Sequence, residues 1–278
     1  MQPVIGLILA IGIAFMVYRL RALTPGGAVA AAILGTLIFG LGGVAWSILL
    51  LVFFISSSAL SRLAKPRKQA VEENYAKGDR RDAGQVLANG GVAGLFVILH
   101  AFFPAATWPW LGAAAGLAAA TADTWATELG VLSPNPPRLI TTGRRVEPGA
   151  SGGVSLAGLA AALAGAMLEA ASLVIVWPET GLFGGVITPH ALSMAAAWLL
   201  LVALAGLAGS LVDSLLGATL QAIYYCPACH KETERHPLHS CGAATSLRRG
   251  LPWLNNDWVN AACTFSAALL ALIIYFVI

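Results

Sequence analysis

The chain has 278 residues, of which 58% are hydrophobic and only 10% are charged, whereas about a quarter of an average soluble domain is charged. This composition excludes a soluble globular protein and indicates a membrane protein. Thirty glycines without a Gly-X-Y period exclude a collagenous chain. The net charge of +3, carried in short basic clusters, gives no indication of a nucleic-acid partner.

Eight segments come close to the roughly 20 apolar residues that cross the hydrocarbon core of a bilayer. We therefore predict an all-α fold, a polytopic membrane bundle of about eight transmembrane helices that forms one domain over residues 1–278. The predicted spans are 3–19, 25–42, 44–62, 86–103, 108–129, 152–177, 191–220 and 258–278. Only the turn at residues 41–43 separates the second span from the third.

Eight spans would place every Lys and Arg of the chain on one side of the membrane. These 16 residues are Arg19, Arg21, Arg62, Lys65, Arg67, Lys68, Lys77, Arg80, Arg81, Arg138, Arg144, Arg145, Lys231, Arg235, Arg248 and Arg249. Connections rich in Lys and Arg stay in the cytoplasm. We therefore predict that both termini lie outside and that any chemistry at the basic side faces the cytoplasm.

Two acidic residues inside apolar spans belong to an internal repeat. Asp123 follows Ala115-Gly116-Leu117-Ala118, and Asp213 follows Ala205-Gly206-Leu207-Ala208 at the same distance. An unpaired charge at mid-membrane costs about 2.5–3.5 kcal/mol even on insertion scales. Small residues recur at helical spacing beside each Asp, which predicts one stripe of small residues and one carboxylate on each helix.

We expect these two helices to pack stripe to stripe and to bring the carboxylates together. Like charges at short range need a cation or a proton between them. Carboxylate oxygens with open positions suit Mg²⁺, which keeps several waters and takes phosphate oxygens as further ligands. We therefore predict Mg²⁺ at Asp123 and Asp213. The alternative is that each Asp only hydrogen-bonds a neighbouring helix, and the duplication favours the metal.

Further polar residues mark the same side of the membrane. These are Glu128, Asn89, Asn256, Asp257 and Asn260. Arg81, Gln85 and Asn89 also follow at intervals of four on one helical face. Helix N-caps would explain one or two of these side chains but not all of them. Nearer the outer side, Glu169 and His100 lie at comparable depth, and we expect them to form a structural pairing.

The loop at residues 137–155 is a candidate phosphate-binding loop. Glycines free backbone N–H groups to converge on an anion, the start of the next helix adds a positive dipole, and arginines supply bidentate donors. The candidates are Arg138, Thr142, Gly143, Arg144, Arg145, Gly152, Gly153 and Ser155. This is not a Walker A sequence, and the alternative is a flexible basic loop. Its position directly after Asp123 and Glu128 favours phosphate.

Three of the four cysteines fall between the last two spans, where residues 226–250 are predicted to form a cytoplasmic zinc-binding loop. The predicted ligands are Cys226, Cys229, His239 and Cys241. His239 is preferred to His230 and His236 because it forms a compact knuckle with Cys241. Zinc is favoured over free thiols, and disulfides are rare on the reducing side. A closed site with four ligands would be structural rather than catalytic.

Taken together, these motifs resemble an integral-membrane family that includes the plant phytyl-phosphate kinase of tocopherol synthesis and many prokaryotic members. The resemblance covers about residues 80–262. It rests on the segments at residues 85–91, 122–130, 137–143, 152–155, 213–218 and 256–260. Two departures are visible: Ala150 stands where a hydroxyl residue is expected, and Thr127 where Ser is usual.

The resemblance implies transfer of the γ-phosphoryl group from a cytosolic nucleoside triphosphate, with CTP a candidate, to a membrane-embedded isoprenoid monophosphate of phytyl or geranylgeranyl type. The expected catalytic residues are Asp123, Asp213, Glu128, Arg144 and Arg145. The expected substrate-binding and nucleotide-binding residues are Asn89, Arg138, Thr142, Gly143, Gly152, Gly153, Ser155, Asn256, Asp257 and Asn260. The setting would be a prokaryotic cytoplasmic membrane, with lipid as a partner and a homo-oligomer left open.

Two other functions fit the same residues. A CDP-lipid-forming cytidylyltransferase would use the same metal and arginines but would release diphosphate. A secondary transporter would account for duplicated helices and intramembrane carboxylates. Its charged pair should lie near the midplane, whereas both Asp residues are expected towards one surface. A purely structural membrane protein does not explain the repeated Asp.

Overall fold

The computed structural model describes residues 2–72, 80–177 and 188–277, except for the side chains of residues 65–72. Within these ranges the chain is mostly helical. Its helices are α1 (Gln2–Arg19), α2 (Pro25–Glu72), α3 (Ala83–Phe102), α4 (Trp108–Gly130), α5 (Leu156–Val176), α6 (Pro189–Thr219) and α7 (Asn256–Val277). The basic side chains of Lys65, Arg67, Lys68 and Lys77 lie outside the described part.

Among the described residues, six helices are long and apolar enough to cross a membrane: α1, residues Pro25–Ala64 of α2, α3, α5, α6 and α7. Helix α4 is not one of the six, although its bounds match the predicted fifth span. It is rich in alanine and glycine, is buried from Pro109 to Ala122, and contacts α2, α3, α5, α6 and α7. Because protein surrounds α4, it does not need the strongly apolar surface of a helix that faces lipid.

Helix α2 is interrupted at the predicted turn. Gly43 has φ 73° and ψ −158°, a conformation that glycine adopts far more readily than residues with a Cβ atom. Leu34 before the break and Leu50 after it both lie against Gly90 of α3. The Nη2 atom of Arg62 donates to the carbonyl oxygen of a loop residue, Leu20, at 2.8 Å. The two halves of α2 therefore run back along one another.

A two-stranded sheet shortens the predicted sixth span. Strand β1 (Arg138–Leu139) pairs antiparallel with β2 (Gly153–Val154). Helix α5 consequently begins at Leu156 and not at residue 152. Ser155 caps this helix, because its Oγ atom accepts a hydrogen bond from the N–H of Gly158 at 3.1 Å.

A three-stranded antiparallel sheet over residues 223–249 overlaps the predicted zinc-binding loop, and the all-α prediction did not anticipate it. Strand β3 (Ile223–Cys226) lies between β4 (Lys231–Thr233) and β5 (Ser246–Arg249). These strands have three or four residues each, so they are too short to show a clear alternating pattern in the sequence.

Aromatic rings gather where α3, α5 and α7 end and where α4 and α6 begin. The cluster contains Trp46, His100, Trp110, Trp177, Trp198 and Tyr275, with neighbouring ring centroids 4.5–6.4 Å apart. We call this the aromatic end of the bundle and the opposite one the polar end. Trp and Tyr are enriched at the interfaces between membrane and water.

The expected pairing of Glu169 with His100 is wrong. Glu169 is fully buried, and its Oε1 atom accepts a hydrogen bond from Thr121 of α4 at 3.2 Å. His100 instead packs between the rings of Trp46 and Trp110 at the aromatic end. Glu169 and His100 therefore contact side chains of adjoining helices and not each other.

Candidate active site

A cavity of about 300 Å³, which we call the first cavity, opens at the polar end of the bundle. Asp123 and Asp213 both line it, one from each copy of the repeat. The two carboxylates are close enough to interact electrostatically. The Oδ2 atom of Asp213 is buried without a hydrogen-bond partner among the described residues. The first cavity therefore contains an acidic pair in which one oxygen of Asp213 is free to act as a ligand atom.

Small residues bring α4 and α6 together, but not by the expected stripe-to-stripe packing. Gly206 of α6 lies against Ala118 of α4, where an added Cβ atom would come within 2.7 Å. Gly116 of α4 faces Val92 of α3 and the carbonyl oxygen of Thr264 of α7 instead. The stripe prediction was therefore wrong at Gly116 of α4, because periodicity identifies a face without showing which helix covers it.

Several other predicted residues line the same cavity. They are Asn89 of α3, Glu128 of α4, Asn256 and Asn260 of α7, and Gly152, Gly153 and Ser155. Glu128 is buried and accepts a hydrogen bond from Ser61 of α2 at 2.8 Å. The fold thus brings these residues together from three helices and one loop.

Helix capping accounts for some of the neighbouring polar residues. Asp82 caps α3, because its side chain accepts from the N–H of Gln85 at 3.0 Å, and the Gln85 side chain accepts in return at 3.2 Å. Asn255 caps α7 by accepting from the N–H of Asp257 at 3.0 Å. Asn260 lies inside α7 and is buried, so capping does not explain its position in the cavity wall.

Residues 148–155, which we call the glycine loop, form one wall of the first cavity. Gly152 has φ +83°, and an added Cβ atom would collide with Ala218 of α6. Both observations require glycine here. The hydroxyl of Ser151 donates to Oε1 of Gln221 at 2.6 Å, which fixes the glycine loop to the end of α6.

The arginine-rich half of the predicted phosphate loop lies elsewhere. Residues 138–145 form a tight hairpin, in which the N–H of Leu139 donates to the carbonyl oxygen of Arg144 at 2.9 Å. This hairpin exposes Arg138, Thr142, Gly143, Arg144 and Arg145, and none of them lines the first cavity. Asp257 does not line it either. The lining of the first cavity therefore gives these six assignments no support.

Arg81 supplies a cation to the first cavity, and no other Lys or Arg among the described side chains lines it. Its backbone is fixed, because its N–H donates to Ala22 at 2.9 Å and its carbonyl accepts from Thr24 at 3.0 Å. Its guanidinium lies over the ring of Phe53 at 5.3 Å, and its buried Nη1 atom has no hydrogen-bond partner among the described residues. Burial lowers the pKa of Arg81 to about 10, with Glu128 opposing the shift, so Arg81 stays cationic at neutral pH.

The sequence did not assign Arg81, Ser61 and Glu234 to the site, although all three line the first cavity. The interval of four from Arg81 through Gln85 to Asn89 indicates a shared face and could have suggested Arg81. No pattern points to Ser61 of α2. Glu234 lies inside the loop that carries the cysteines, and only the folded loop brings it to the cavity.

Cys226, Cys229, His239 and Cys241 form a group that could bind a metal ion, with all four ligand atoms within 4.8 Å of one another. The Sγ atoms of Cys226 and Cys241 are 3.6 Å apart, and Nδ1 of His239 lies 3.5 Å from Cys229 and 3.3 Å from Cys241. Bonds of about 2.0–2.3 Å in a tetrahedral zinc site separate its ligands by about 3.5–3.8 Å. The donor set and spacing fit zinc. The 3.6 Å between the Sγ atoms of Cys226 and Cys241 is far longer than the S–S bond of a disulfide, which is about 2.0 Å.

The thiols of this group influence one another. The backbone N–H of Ala243 and the ring of His239 lower the pKa of Cys241 to about 6. The hydrogen bond with Cys241 in turn raises the pKa of Cys229 to about 11. Neighbouring thiolates repel each other unless a cation lies between them, and the thiolate is the form that binds metal.

Residues 8–268 match the family described as "Integral membrane protein DUF92". The chain belongs to this DUF92 family. "Protein PGR" of Arabidopsis thaliana is 34% identical over 266 residues, which cover 89% of this chain and 87% of the relative. An uncharacterized membrane protein of Methanocaldococcus jannaschii is 32% identical over 263 residues, which cover 95% and 90% of the two chains.

A third relative of this DUF92 member is an uncharacterized membrane protein of Synechocystis, which is 27% identical over 256 residues. No solved structure matches the chain. The family membership predicted from the motifs is confirmed, and the match extends well beyond residues 80–262. The names of these relatives state no activity.

Proposed function

We propose that this DUF92 member transfers the γ-phosphoryl group of a nucleoside triphosphate to a membrane-embedded isoprenoid monophosphate, with Mg²⁺ held by Asp123 and Asp213. The observation that carries the proposal is that these two carboxylates line the first cavity together with the glycine loop and the half-buried Arg81. Phosphoryl transfer depends mainly on positioning and charge neutralisation and needs no covalent nucleophile.

The donor set of the first cavity fits a hard divalent cation. Asp123 and Asp213 both line it, and Oδ2 of Asp213 has no hydrogen-bond partner among the described residues. When bound, Mg²⁺ would neutralise charge on the phosphate oxygens. Glu128 and the amides of Asn89 and Asn260 line the same cavity and would orient the metal and phosphates.

Other residues around the first cavity would bind the phosphates and neutralise their charge. The backbone N–H groups of the glycine loop would hold phosphate oxygens of the donor, and Arg81 would offset the charge on the transferred group. An oxygen of the acceptor phosphate forms the new bond to the γ-phosphorus, and the bond from that phosphorus to the β–γ bridging oxygen breaks. A nucleoside diphosphate leaves, and the acceptor needs no general base because it is already ionised near neutral pH.

This chemistry also fits a definite orientation in a prokaryotic cytoplasmic membrane. The polar end would face the cytoplasm, where the nucleotide is found, and the aromatic end would lie at the outer interface. Counting the two halves of α2 separately and including α4 gives eight spans with both termini outside. The reversal of the chain at Gly43 supports this count. Zn²⁺ bound by the Cys₃His group would be structural.

The test is a transfer assay with the full-length chain in lipid nanodiscs. Geranylgeranyl or phytyl monophosphate, γ-labelled CTP or ATP, and Mg²⁺ are supplied, and the lipid product is separated. We expect labelled diphosphate from wild type and at least about 100-fold less from Asp123→Asn and Asp213→Asn. Glu169→Gln is the matched control, because Glu169 is a buried intramembrane carboxylate outside the first cavity.

Unchanged transfer in both Asp variants would overturn the role of the metal site. Release of diphosphate from unlabelled CTP, with no transfer of the γ-label, would identify cytidylyl transfer instead. An uptake activity without any turnover of nucleotide would identify a transporter. That outcome is disfavoured by the position of the acidic pair at one end of the bundle, away from the midplane.

A further inference from the structure

A second cavity, of about 360 Å³, lies between the glycine loop and the three-stranded sheet. Residues 146–151 line one side of it, and Tyr225, Glu232 and Arg248 line the other. Residues 148–151 and Glu234 line both cavities. The two spaces are therefore neighbours that share the glycine loop as a wall, and an elongated ligand could place one end in each.

The second cavity differs in chemistry from the first. The half-buried ring of Tyr225 lies on its wall, with the guanidinium of Arg248 at 5.1 Å from the ring centroid. Arg248 also pairs with Glu232 at 3.1 Å. The Tyr225 hydroxyl shares a hydrogen bond with Nδ1 of His230 at 3.1 Å. Aromatic rings and planar guanidinium groups are surfaces on which nucleobases stack.

We propose that the second cavity holds the nucleoside of the triphosphate donor, whose phosphates reach past the glycine loop into the first cavity. This inference rests on the proposed function, which makes a nucleoside triphosphate the substrate. A volume of about 360 Å³ lies within the usual range for sites of small molecules. Charged side chains line the second cavity, so it does not suit the isoprenoid tail of the acceptor.

Gln221 connects the sheet with the glycine loop. It is buried, it accepts from the hydroxyl of Ser151 at 2.6 Å, and its Nε2 atom donates to Glu234 at 2.8 Å. Cys226 of the Cys₃His group is the last residue of β3 and follows Tyr225 directly. The backbone at Tyr225 is therefore tied directly to the Cys₃His group, and we expect the loop that carries this group to support binding of the donor.

The test compares two probes on the full-length protein in nanodiscs with Mg²⁺: CTP or ATP, and inorganic tripolyphosphate, which lacks a nucleoside. Equilibrium dialysis measures both dissociation constants. Tyr225→Ala and Arg248→Ala should weaken nucleotide binding about 10-fold, in line with the loss of one stacked base, and should leave tripolyphosphate binding within about twofold. Leu247→Ala is the matched control, because Leu247 is an exposed residue of β5 that does not line the second cavity.

The outcomes separate this inference from the proposed function. Wild type that binds tripolyphosphate as tightly as nucleotide, or variants that bind both probes like wild type, would overturn the inference and leave the phosphate site standing. Equal loss of both probes in Tyr225→Ala and Arg248→Ala would also overturn it. Wild type that binds neither probe would overturn the proposed function as well. The zinc content of each variant shows whether its loop is intact. If Tyr225→Ala loses the metal, the result for Arg248→Ala decides instead, because Arg248 is exposed.

Discussion

The two ends of the bundle are built from the same helices but differ in what fixes their side chains. At the aromatic end, the rings of Trp46, His100 and Trp110 fill the space between helices, with centroids 4.5–5.7 Å apart. At the polar end, Asp123 and Asp213 face a cavity. Packing explains the first arrangement, whereas clustered carboxylates cost free energy unless a ligand compensates them. If the proposed function holds, the residues for stability and those for chemistry are separated along the helix axes.

The largest effect on activity is expected at the polar end. Asp213→Asn should lower the turnover number about 1,000-fold, because the metal would lose one of its two carboxylates. Measured without added Mg²⁺, the melting temperature should stay the same or rise, since the substitution removes repulsion between like charges that no bound cation then offsets. Transfer assays and thermal unfolding of the same preparation check both expectations. A melting temperature that falls together with activity would mean that Asp213 has a packing role instead.

A substitution at the aromatic end should have the opposite result. Trp110 is buried and contacts Trp46, His100 and Trp177, so Trp110→Ala leaves a large void. We expect a loss of about 3 kcal/mol in the free energy of unfolding, with kcat/KM of the folded fraction within about threefold of wild type. Denaturant unfolding and transfer assays below the melting temperature measure these quantities. A selective loss of activity at full stability would break the separation between the two ends.

Within the polar end, Arg81 and the exposed hairpin arginines should differ in their effect on activity. Arg81→Ala removes the one cation found in the lining of the described first cavity, and we expect about a 30-fold loss of kcat/KM. Arg81→Lys should restore part of the loss because it keeps the charge. Arg145→Ala, in the exposed hairpin, should lower kcat/KM by less than about threefold. The reverse order would return the catalytic role to the hairpin arginines that the sequence favoured.

The loop that carries the Cys₃His group should affect activity only indirectly. Cys226→Ser should reduce the zinc content, measured by metal analysis of the purified protein, because the closed site would lose one of four ligands. Donor affinity should fall about 10-fold through the displaced sheet, with a smaller change in the turnover number. Full zinc content in this variant would refute the assigned ligand set. Asp213→Asn is the matched control, and it should retain zinc.

The sequence predicted the elements of this site that depend on local repetition. The duplicated segments pointed to Asp123 and Asp213, which line one cavity, and the cysteine spacing identified the four residues that lie within ligand distance of one another. In each case the informative pattern is short, and a metal site of the predicted kind needs those ligands: carboxylates for Mg²⁺, and Cys and His for zinc. The described helices also follow the predicted spans closely, because apolar length is a strong signal.

Features that depend on the neighbours of each element could not be predicted. The position of their loop directly after Asp123 and Glu128 suggested that Arg144 and Arg145 bind phosphate, but the hairpin of residues 138–145 exposes them. Conversely, Arg81 and Glu234 reach the first cavity through tertiary packing of a connection and of the cysteine loop. The periodicity of α4 likewise identified the Gly116 face without showing that α3 and α7 cover it.

The central claim is that Asp123 and Asp213 together hold one divalent cation. Mn²⁺ can replace Mg²⁺ at oxygen ligands, and electron paramagnetic resonance counts the bound ion on the full-length, zinc-loaded protein. We predict bound Mn²⁺ in wild type and in Glu169→Gln, and its loss in both Asp123→Asn and Asp213→Asn. Equal Mn²⁺ binding by all four proteins would contradict the account.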